Sequence, residues 1–261
     1  MGESFHVGTT SVRRGVLAAA AVSLCLLATA CDSGGSAAAG GGSGEVRTEA
    51  APGGTAKSAA ALTRMLVAPA DLPEYTVEEK FRKTGPEQKA ETDKAACEPL
   101  VRAQARMPLG KVGGTAGVAV LGKPEPAPAD ASEDEKLDAL RQSAGRKGTT
   151  VFLDSYAGKG AEEAFAAVKG AVTACAGGYT AFGGPKAVRV EQVLPVPQDP
   201  AGDESLAFRL VLGMGDGQKT NVQFVFVRKG DVLATFEVLS LLGDAPQPPK
   251  AVVEAQSKKL V

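Results

Sequence analysis

Four cysteines are the side chains best suited to covalent chemistry in this chain of 261 residues, and they stand at positions 25, 31, 97 and 175. A thiol can accept a lipid, join a second thiol in a disulfide, attack a substrate or ligate a metal ion. Disulfides persist in oxidising compartments, whereas thiols in the cytosol stay reduced. The chemistry of these cysteines therefore depends on where the protein works, and the segment that ends at Cys31 carries that information.

The first 30 residues have the layout of an export signal. Arg13 and Arg14 give a positively charged start, residues 15–27 are predominantly apolar, and residues 28–30 are small. This order is typical of a secretory signal peptide. The apolar run of 13 residues would span about 20 Å as a helix, which is too short for a bilayer core of about 30 Å. We therefore expect residues 1–30 to be a removable leader and not a membrane helix.

The sequence Leu-Ala-Thr-Ala-Cys at residues 27–31 resembles a bacterial lipobox. The resemblance implies that a peptidase cuts before Cys31 and that its thiol carries a diacylglycerol, with palmitate-type acyl chains in the membrane. The usual leucine three places before the cysteine is Ala28 here. Arg13 and Arg14 with the apolar pair that follows them also resemble a twin-arginine signal, so both export routes remain open. The expected location is the outer face of the cell membrane, in the manner of an actinobacterial lipoprotein.

Three parts of the chain follow from this assignment. Residues 1–30 are the lipoprotein signal peptide, residues 31–56 are a flexible linker rich in Gly, Ser and Ala, and residues 57–261 are the folded domain. A flexible chain of the linker's length has an r.m.s. span of roughly 25–30 Å. The net charge of the whole chain is −1, which lacks the excess of basic residues that a nucleic-acid-binding surface needs.

Removal of the leader takes away His6, the only histidine of the chain. Ser-His-Asp and Cys-His catalysis both need an imidazole, and so do most zinc sites. We therefore expect no catalytic residue of these types, no metal site and no cofactor. Among the carboxylates, the pair Glu162-Glu163 falls in the first turn of a helix pattern and Asp203-Glu204 precedes a strand. A carboxylate-dependent cell-wall hydrolase remains the enzymatic alternative.

Cys97 and Cys175 are expected to form a disulfide, since an exported chain with an even number of unlipidated thiols usually pairs them. Two alternatives remain open, namely two buried free thiols and a redox-active pair. The sequence has no Cys-x-x-Cys motif, which disfavours the redox alternative.

Hydrophobic periodicity predicts an α+β fold. In residues 161–175 the apolar residues Phe165, Val168 and Val172 recur at helical spacing. Apolar residues alternate in residues 206–212, 222–226 and 232–238, which is typical of strands joined by short turns into an antiparallel meander. The Asp216-Gly217 pair predicts a hairpin turn. Further helices are predicted over residues 57–67, 94–106 and 249–258, and further strands over 75–82, 114–121, 149–156 and 188–193. We expect a single domain with one antiparallel sheet, helices packed mainly on one face and one disulfide.

The order of these features resembles the extracellular sensor domain of mycobacterial receptor Ser/Thr kinases of the PknH type. The resemblance is carried by the Asp-Leu-Pro turn at residues 71–73, by Cys97 on a helix, by the strand and helix of residues 149–179 and by the strands of residues 203–238. It covers about residues 57–258. It implies an α+β domain held by disulfides and carrying a ligand cleft. The kinase domains have two disulfides, whereas this chain can form only one between Cys97 and Cys175.

These observations predict a membrane-tethered, extracytoplasmic lipoprotein with a non-enzymatic ligand-binding or sensing domain. A structural or chaperone-like role in envelope assembly is the alternative. The expected partners are the membrane, through the lipid on Cys31, and a small molecule, a lipid, a cell-wall fragment or an envelope protein. No residue of the sequence identifies the ligand-binding site.

Overall fold

One antiparallel sheet of nine strands organises the computed structural model, which describes residues 54–78, 89–123, 128, 130–137, 148–240 and 248–260. Across the sheet the strand order is β1-β3-β4-β9-β8-β7-β6-β5-β2. The C-terminal meander therefore forms the middle of the sheet, with earlier strands added at both sides. In chain order the strands are β1 (Tyr75–Glu78), β2 (Glu91–Thr92), β3 (Gly114–Gly122), β4 (Gly148–Ser155), β5 (Tyr179–Phe182), β6 (Val188–Val196), β7 (Glu204–Gly215), β8 (Gln218–Lys229) and β9 (Val232–Ser240).

The α-helices that lie entirely in the described ranges are α1 (Ala59–Met65), α2 (Glu98–Gln104), α3 (Gly160–Ala174) and α4 (Lys250–Lys258). Ser132 and Glu135 form a capping box, since the Ser132 backbone N–H donates to the Glu135 carboxylate at 2.7 Å and the Glu135 backbone N–H donates to the Ser132 hydroxyl at 3.3 Å. Residues 133–137 are helical behind it. Within the described ranges, no helix is long and apolar enough to cross a membrane.

The predicted meander of β7, β8 and β9 is confirmed. The pair Asp216-Gly217 forms the turn between β7 and β8, and both residues have positive φ, 49° and 75°. Positive φ at both central positions is what a two-residue hairpin turn of the type I′ requires. The glycine-rich segment around residue 215 is therefore a turn, as its sequence predicts.

Helices cover both faces of the sheet, so the prediction that they pack mainly on one face is corrected. On one face α2 and α3 lie over apolar side chains that include Val193 and Phe224. On the opposite face α1 and α4 lie over a second cluster that includes Val151 and Val225. The reason lies in β8, where every residue from 222 to 227 is at least 94% buried. A strand whose two faces are both apolar needs cover on both sides.

The predicted disulfide between Cys97 and Cys175 is present, and both residues are fully buried. The sequence places a helix start at Asp93, but that carboxylate instead accepts the backbone N–H of Thr180 at 2.8 Å. Helix α2 begins only after Cys97, with Pro99 in its first turn. The bond therefore joins the N-terminal end of α2 to the C-terminal end of α3.

Candidate ligand-binding site

Three cavities lie around the segment that joins α2 to β3. The lysine cavity has a volume of about 640 Å³, and its lining includes Pro99, Lys111, Tyr156, Lys159, Glu163 and Ala167. The inner cavity has a volume of about 120 Å³, and its lining includes Thr115, Gly117, Phe152, Asp154, Phe226 and Thr235. The edge cavity has a volume of about 540 Å³, and its lining includes Val101, Ala181, Phe182, Lys186 and Val188. Small-molecule pockets commonly measure about 300–1,000 Å³, so the lysine and edge cavities can each hold a small ligand.

The lysine cavity lies between α2 and the N-terminal half of α3. Gly158 has a φ of 59° and interrupts the regular backbone structure between β4 and α3, so that the helix starts beside the end of β4. Pro99 and Ala164 contribute apolar surface from the two helices, while the backbone of residues 109–113 closes a third side. The cavity therefore combines apolar walls with polar groups at its rim, which is the usual composition of a small-molecule site.

The charged groups of the lysine cavity are mostly basic. Arg102 donates to the Glu98 carboxylate at 2.8 Å, so these two charges compensate each other. Lys111 and Lys159 have no ion pair in the described part of the chain, and Glu163 adds one carboxylate. The first turn of α3 also faces this cavity, and no side chain caps that helix. A helix N-terminus carries partial positive charge, so the cavity has a positive surplus.

Tyr156 is a buried residue of the lysine cavity, with 1% of its surface exposed. Its O–H has no acceptor in the described part of the chain, while the Leu109 backbone N–H interacts with the phenol oxygen. Burial raises the pKa of Tyr156 and the Asp154 carboxylate raises it further, against a smaller opposing effect of the Leu109 backbone N–H. The phenol therefore stays protonated at physiological pH and keeps one O–H donor for a water or ligand atom.

The inner cavity lies against a buried ion pair. The Nε atom of Arg106 donates to the Glu237 carboxylate at 2.6 Å, and the Glu237 side chain is 10% exposed. Burial raises the pKa of Glu237, and Arg106 offsets only part of that effect. Arg106 itself has a φ of 55°, a conformation that is uncommon outside glycine. At about 120 Å³, the inner cavity has room for one small apolar group.

The first described residues of the chain reach the lysine cavity. The carbonyl oxygen of Gly54 accepts the Gly158 backbone N–H at 3.2 Å, and Ala56 lines the cavity. Lys57 then pairs with Asp231 at 2.5 Å. Burial alone would raise the pKa of Asp231, but hydrogen bonds from Lys57 and Ser155 hold it below its usual value. The chain thus joins the domain at the rim of this cavity.

Of the four carboxylates considered from the sequence, two lie in ion pairs and two lie in the first turn of α3. Asp203 and Glu204 both bind Arg228, at 3.3 and 2.6 Å. Of the pair in α3, Glu163 lines the lysine cavity whereas Glu162 does not. In the described ranges no three Cys, His, Asp or Glu residues are placed to hold a metal ion.

The lipid-attachment residue Cys31 lies outside the described residues, so its predicted role remains a prediction. The Cys97–Cys175 disulfide does not line any of the three cavities, although α2 and α3 on either side of it form walls of the lysine cavity. Sequence reasoning missed Lys111, Tyr156 and Lys159. The one local signal for them is Gly158-Lys159-Gly160 between a strand and a helix, a pattern that by itself indicates only a break between two elements.

No family model matches this chain, and no curated protein matches it. Among solved structures, the chain is similar to the extracellular domain of PknH from Mycobacterium tuberculosis, with 11% identity over 79% of this chain and 96% of that chain and a TM-score of 0.42. It is also similar to an uncharacterised protein from Mycobacterium smegmatis, with 12% identity over 72% of this chain and 87% of that chain and a TM-score of 0.32. The assignment of the site rests on the geometry described above.

Proposed function

We propose that this protein is an exported lipoprotein whose folded domain binds a small ligand in the lysine cavity, without catalysing a reaction on it. The observation that carries the proposal is the cavity itself, which has the volume of a small-molecule site and is lined by Tyr156, whose buried O–H has no acceptor among the described residues. Buried polar groups are almost always hydrogen-bonded in folded proteins. An unpartnered O–H at such a site is therefore a reason to expect a bound molecule.

The tether belongs to the same proposal. The leader of residues 1–30 and the lipobox-like segment support export and attachment of a diacylglycerol to Cys31. Two acyl chains hold a protein stably on a membrane, whereas one holds it weakly. The linker then leads from the proposed anchor to Gly54 and Ala56, at the rim of the cavity. A receptor for a molecule of the envelope fits this arrangement.

A role in envelope assembly is the second candidate, and one observation favours it. Phe182 and Val188 are 42% and 38% exposed beside the edge cavity. Exposed apolar side chains that cluster around a groove are typical of protein-binding surfaces. Recovery of one stable protein partner, lost in Phe182→Ser with Val188→Ser, would support this role over ligand binding.

Native mass spectrometry of the protein purified from its own envelope tests the first candidate. We expect a retained small molecule on the wild type and on Ala166→Phe, and a loss of that molecule in Ala167→Phe. Both alanines are exposed on α3, but only Ala167 lines the lysine cavity. A wild type that carries nothing, or a molecule retained equally by all three proteins, would contradict the assignment. Labelling with a fatty-acid probe, wild type against Cys31→Ser, tests the anchor independently.

A further inference from the structure

We infer that the ligand of the lysine cavity is an anionic amphiphile, a phosphate group joined to a short apolar part. The inference rests on the proposed function, because it names the ligand class of the same cavity. A helix N-terminus binds anions such as phosphate, and lysines are established phosphate-binding residues.

The first support is the balance of charge inside the cavity. Lys111 and Lys159 are unpaired in the described ranges, Glu163 opposes one of them, and the Arg102–Glu98 pair is neutral as a unit. One positive charge therefore remains, before the contribution of the helix. A bound anion would neutralise this surplus, whereas a cationic ligand would increase it.

The second support is the start of α3. This helix has 15 residues, begins at Gly160 in the wall of the cavity and has no side chain as its cap. The backbone N–H groups of the first turn of a helix have no partner within the helix. They favour an anion for that reason and through the helix dipole.

The third support is Tyr156, which is independent of the helix terminus. Its O–H is buried, has no acceptor in the described residues, and belongs to a residue that lines the same cavity. Because the pKa of this phenol is raised, it remains protonated near neutral pH and keeps its O–H as a donor. A donor without an acceptor is complemented by a ligand rich in acceptor oxygens, such as a phosphate.

The apolar part of the ligand is indicated by the remaining walls. Pro99, Leu109 and Val112 line the cavity together with Ala164. The linker joins the domain at this rim, through Gly54 and Ala56. A phosphate headgroup of a membrane lipid and a soluble phosphate ester share the chemistry that this site recognises, and the experiment separates these two sources.

The test is a titration of the full chain carrying Cys31→Ser, so that no acyl chain of its own contributes. The probes are inorganic phosphate, glycerol 1-phosphate, and dihexanoyl phosphatidylglycerol below its critical micelle concentration. Dihexanoyl phosphatidylcholine, which has the same tails and no net charge, is the matched neutral probe. Calorimetry gives the affinity, and amide NMR shifts at residues 158–163 report whether binding occurs at the start of α3.

Charge variants give the sharpest readout. Lys159→Gln and Lys111→Gln should each weaken binding of the anionic probes about fivefold, which is the scale of one partly exposed ion pair. Lys169→Gln should leave the affinity unchanged, because Lys169 is exposed on the same helix outside the cavity. Glu163→Gln should tighten binding about threefold. Ala167→Glu should abolish it, while Ala166→Glu should not.

The outcomes are distinct. Tight binding of phosphatidylglycerol with weak binding of glycerol 1-phosphate supports a lipid headgroup, and equal binding of the two supports a soluble phosphate ester. Equal affinity for the neutral and anionic lipids, or affinity unchanged in Lys159→Gln, overturns the inference. If the anion inference fails but a neutral molecule is retained from the envelope and is lost in Ala167→Phe, the proposed function survives. If no molecule is retained and no probe binds, both fail.

Discussion

Loss of the Cys97–Cys175 disulfide should remove a large fraction of the free energy of unfolding. The bond closes a loop with a sequence separation of 78 residues. In the chain-entropy model, a loop of this length restricts the unfolded chain by about 4.5 kcal/mol. Folded domains are stable by only about 5–15 kcal/mol in total. The reduced protein should therefore remain folded at 25 °C with a small margin.

Denaturation in guanidinium chloride, followed by circular dichroism, measures this difference. The most direct comparison is the wild type with and without dithiothreitol, because the two samples have the same side chains. The double variant Cys97→Ala with Cys175→Ala should fall within about 1 kcal/mol of the reduced wild type. The denaturant slope should increase on reduction, because the unfolded chain without its cross-link exposes more surface.

The disulfide also joins the two helices that form walls of the lysine cavity. If reduction and the double variant both lowered the free energy of unfolding by less than about 1.5 kcal/mol, the loop-closure reasoning would be refuted. Packing of α2 on α3 would then suffice to hold these helices together.

Three further predictions concern single residues. In the fold the pKa of Glu237 is raised, so its stabilising contribution is present below its unfolded pKa of about 4.3 and is lost as pH rises through the folded pKa. The denaturation midpoint of Glu237→Gln should therefore rise relative to that of the wild type across this pH range. Parallel pH profiles of the two proteins would contradict this prediction. The pKa of Asp231 is lowered, so Asp231→Asn should reduce the free energy of unfolding by about 1–2 kcal/mol at pH 7. This loss should become smaller as pH falls below about 3.9. An equal loss at pH 3 would contradict the role of the Lys57 pair. Gly178 has a φ of 80° and lies beside a backbone carbonyl of β6, so Gly178→Ala should reduce the free energy of unfolding by about 2 kcal/mol or more. Gly170 lies inside α3 with open space around it, so the control variant Gly170→Ala should not destabilise the protein.

Much of the fold could be predicted from local pattern. The strands β7, β8 and β9 and the helix α3 follow directly from alternation and from the spacing of Phe165, Val168 and Val172, because a half-buried element must repeat its apolar residues at its own period. The turn at Asp216-Gly217 is equally local, since few residues other than Gly, Asn and Asp accept positive φ. The disulfide could be predicted because Cys97 and Cys175 are the only two cysteines in residues 57–261.

The candidate site could not be predicted in this way. The lining of the lysine cavity comes from Ala56, from residues 98–113 and from residues 156–167, which are far apart along the chain. Each part has an ordinary local explanation, as linker, helix start or break between strand and helix. Only the strand order, which inserts β3 and β4 between β1 and β9, brings these segments together.

Composition and periodicity thus specify one antiparallel sheet, amphipathic helices and a pair of cysteines in the folded domain, because turns and apolar periods act over a few neighbouring residues. Long-range packing decides the rest. It places helices on both faces of the sheet, buries the Tyr156 phenol with no acceptor for its O–H among the described residues, and gathers Lys111 and Lys159 around the start of α3. These features depend on which distant segments contact each other, and that choice is made by the burial of the whole sheet and not by any short stretch of residues.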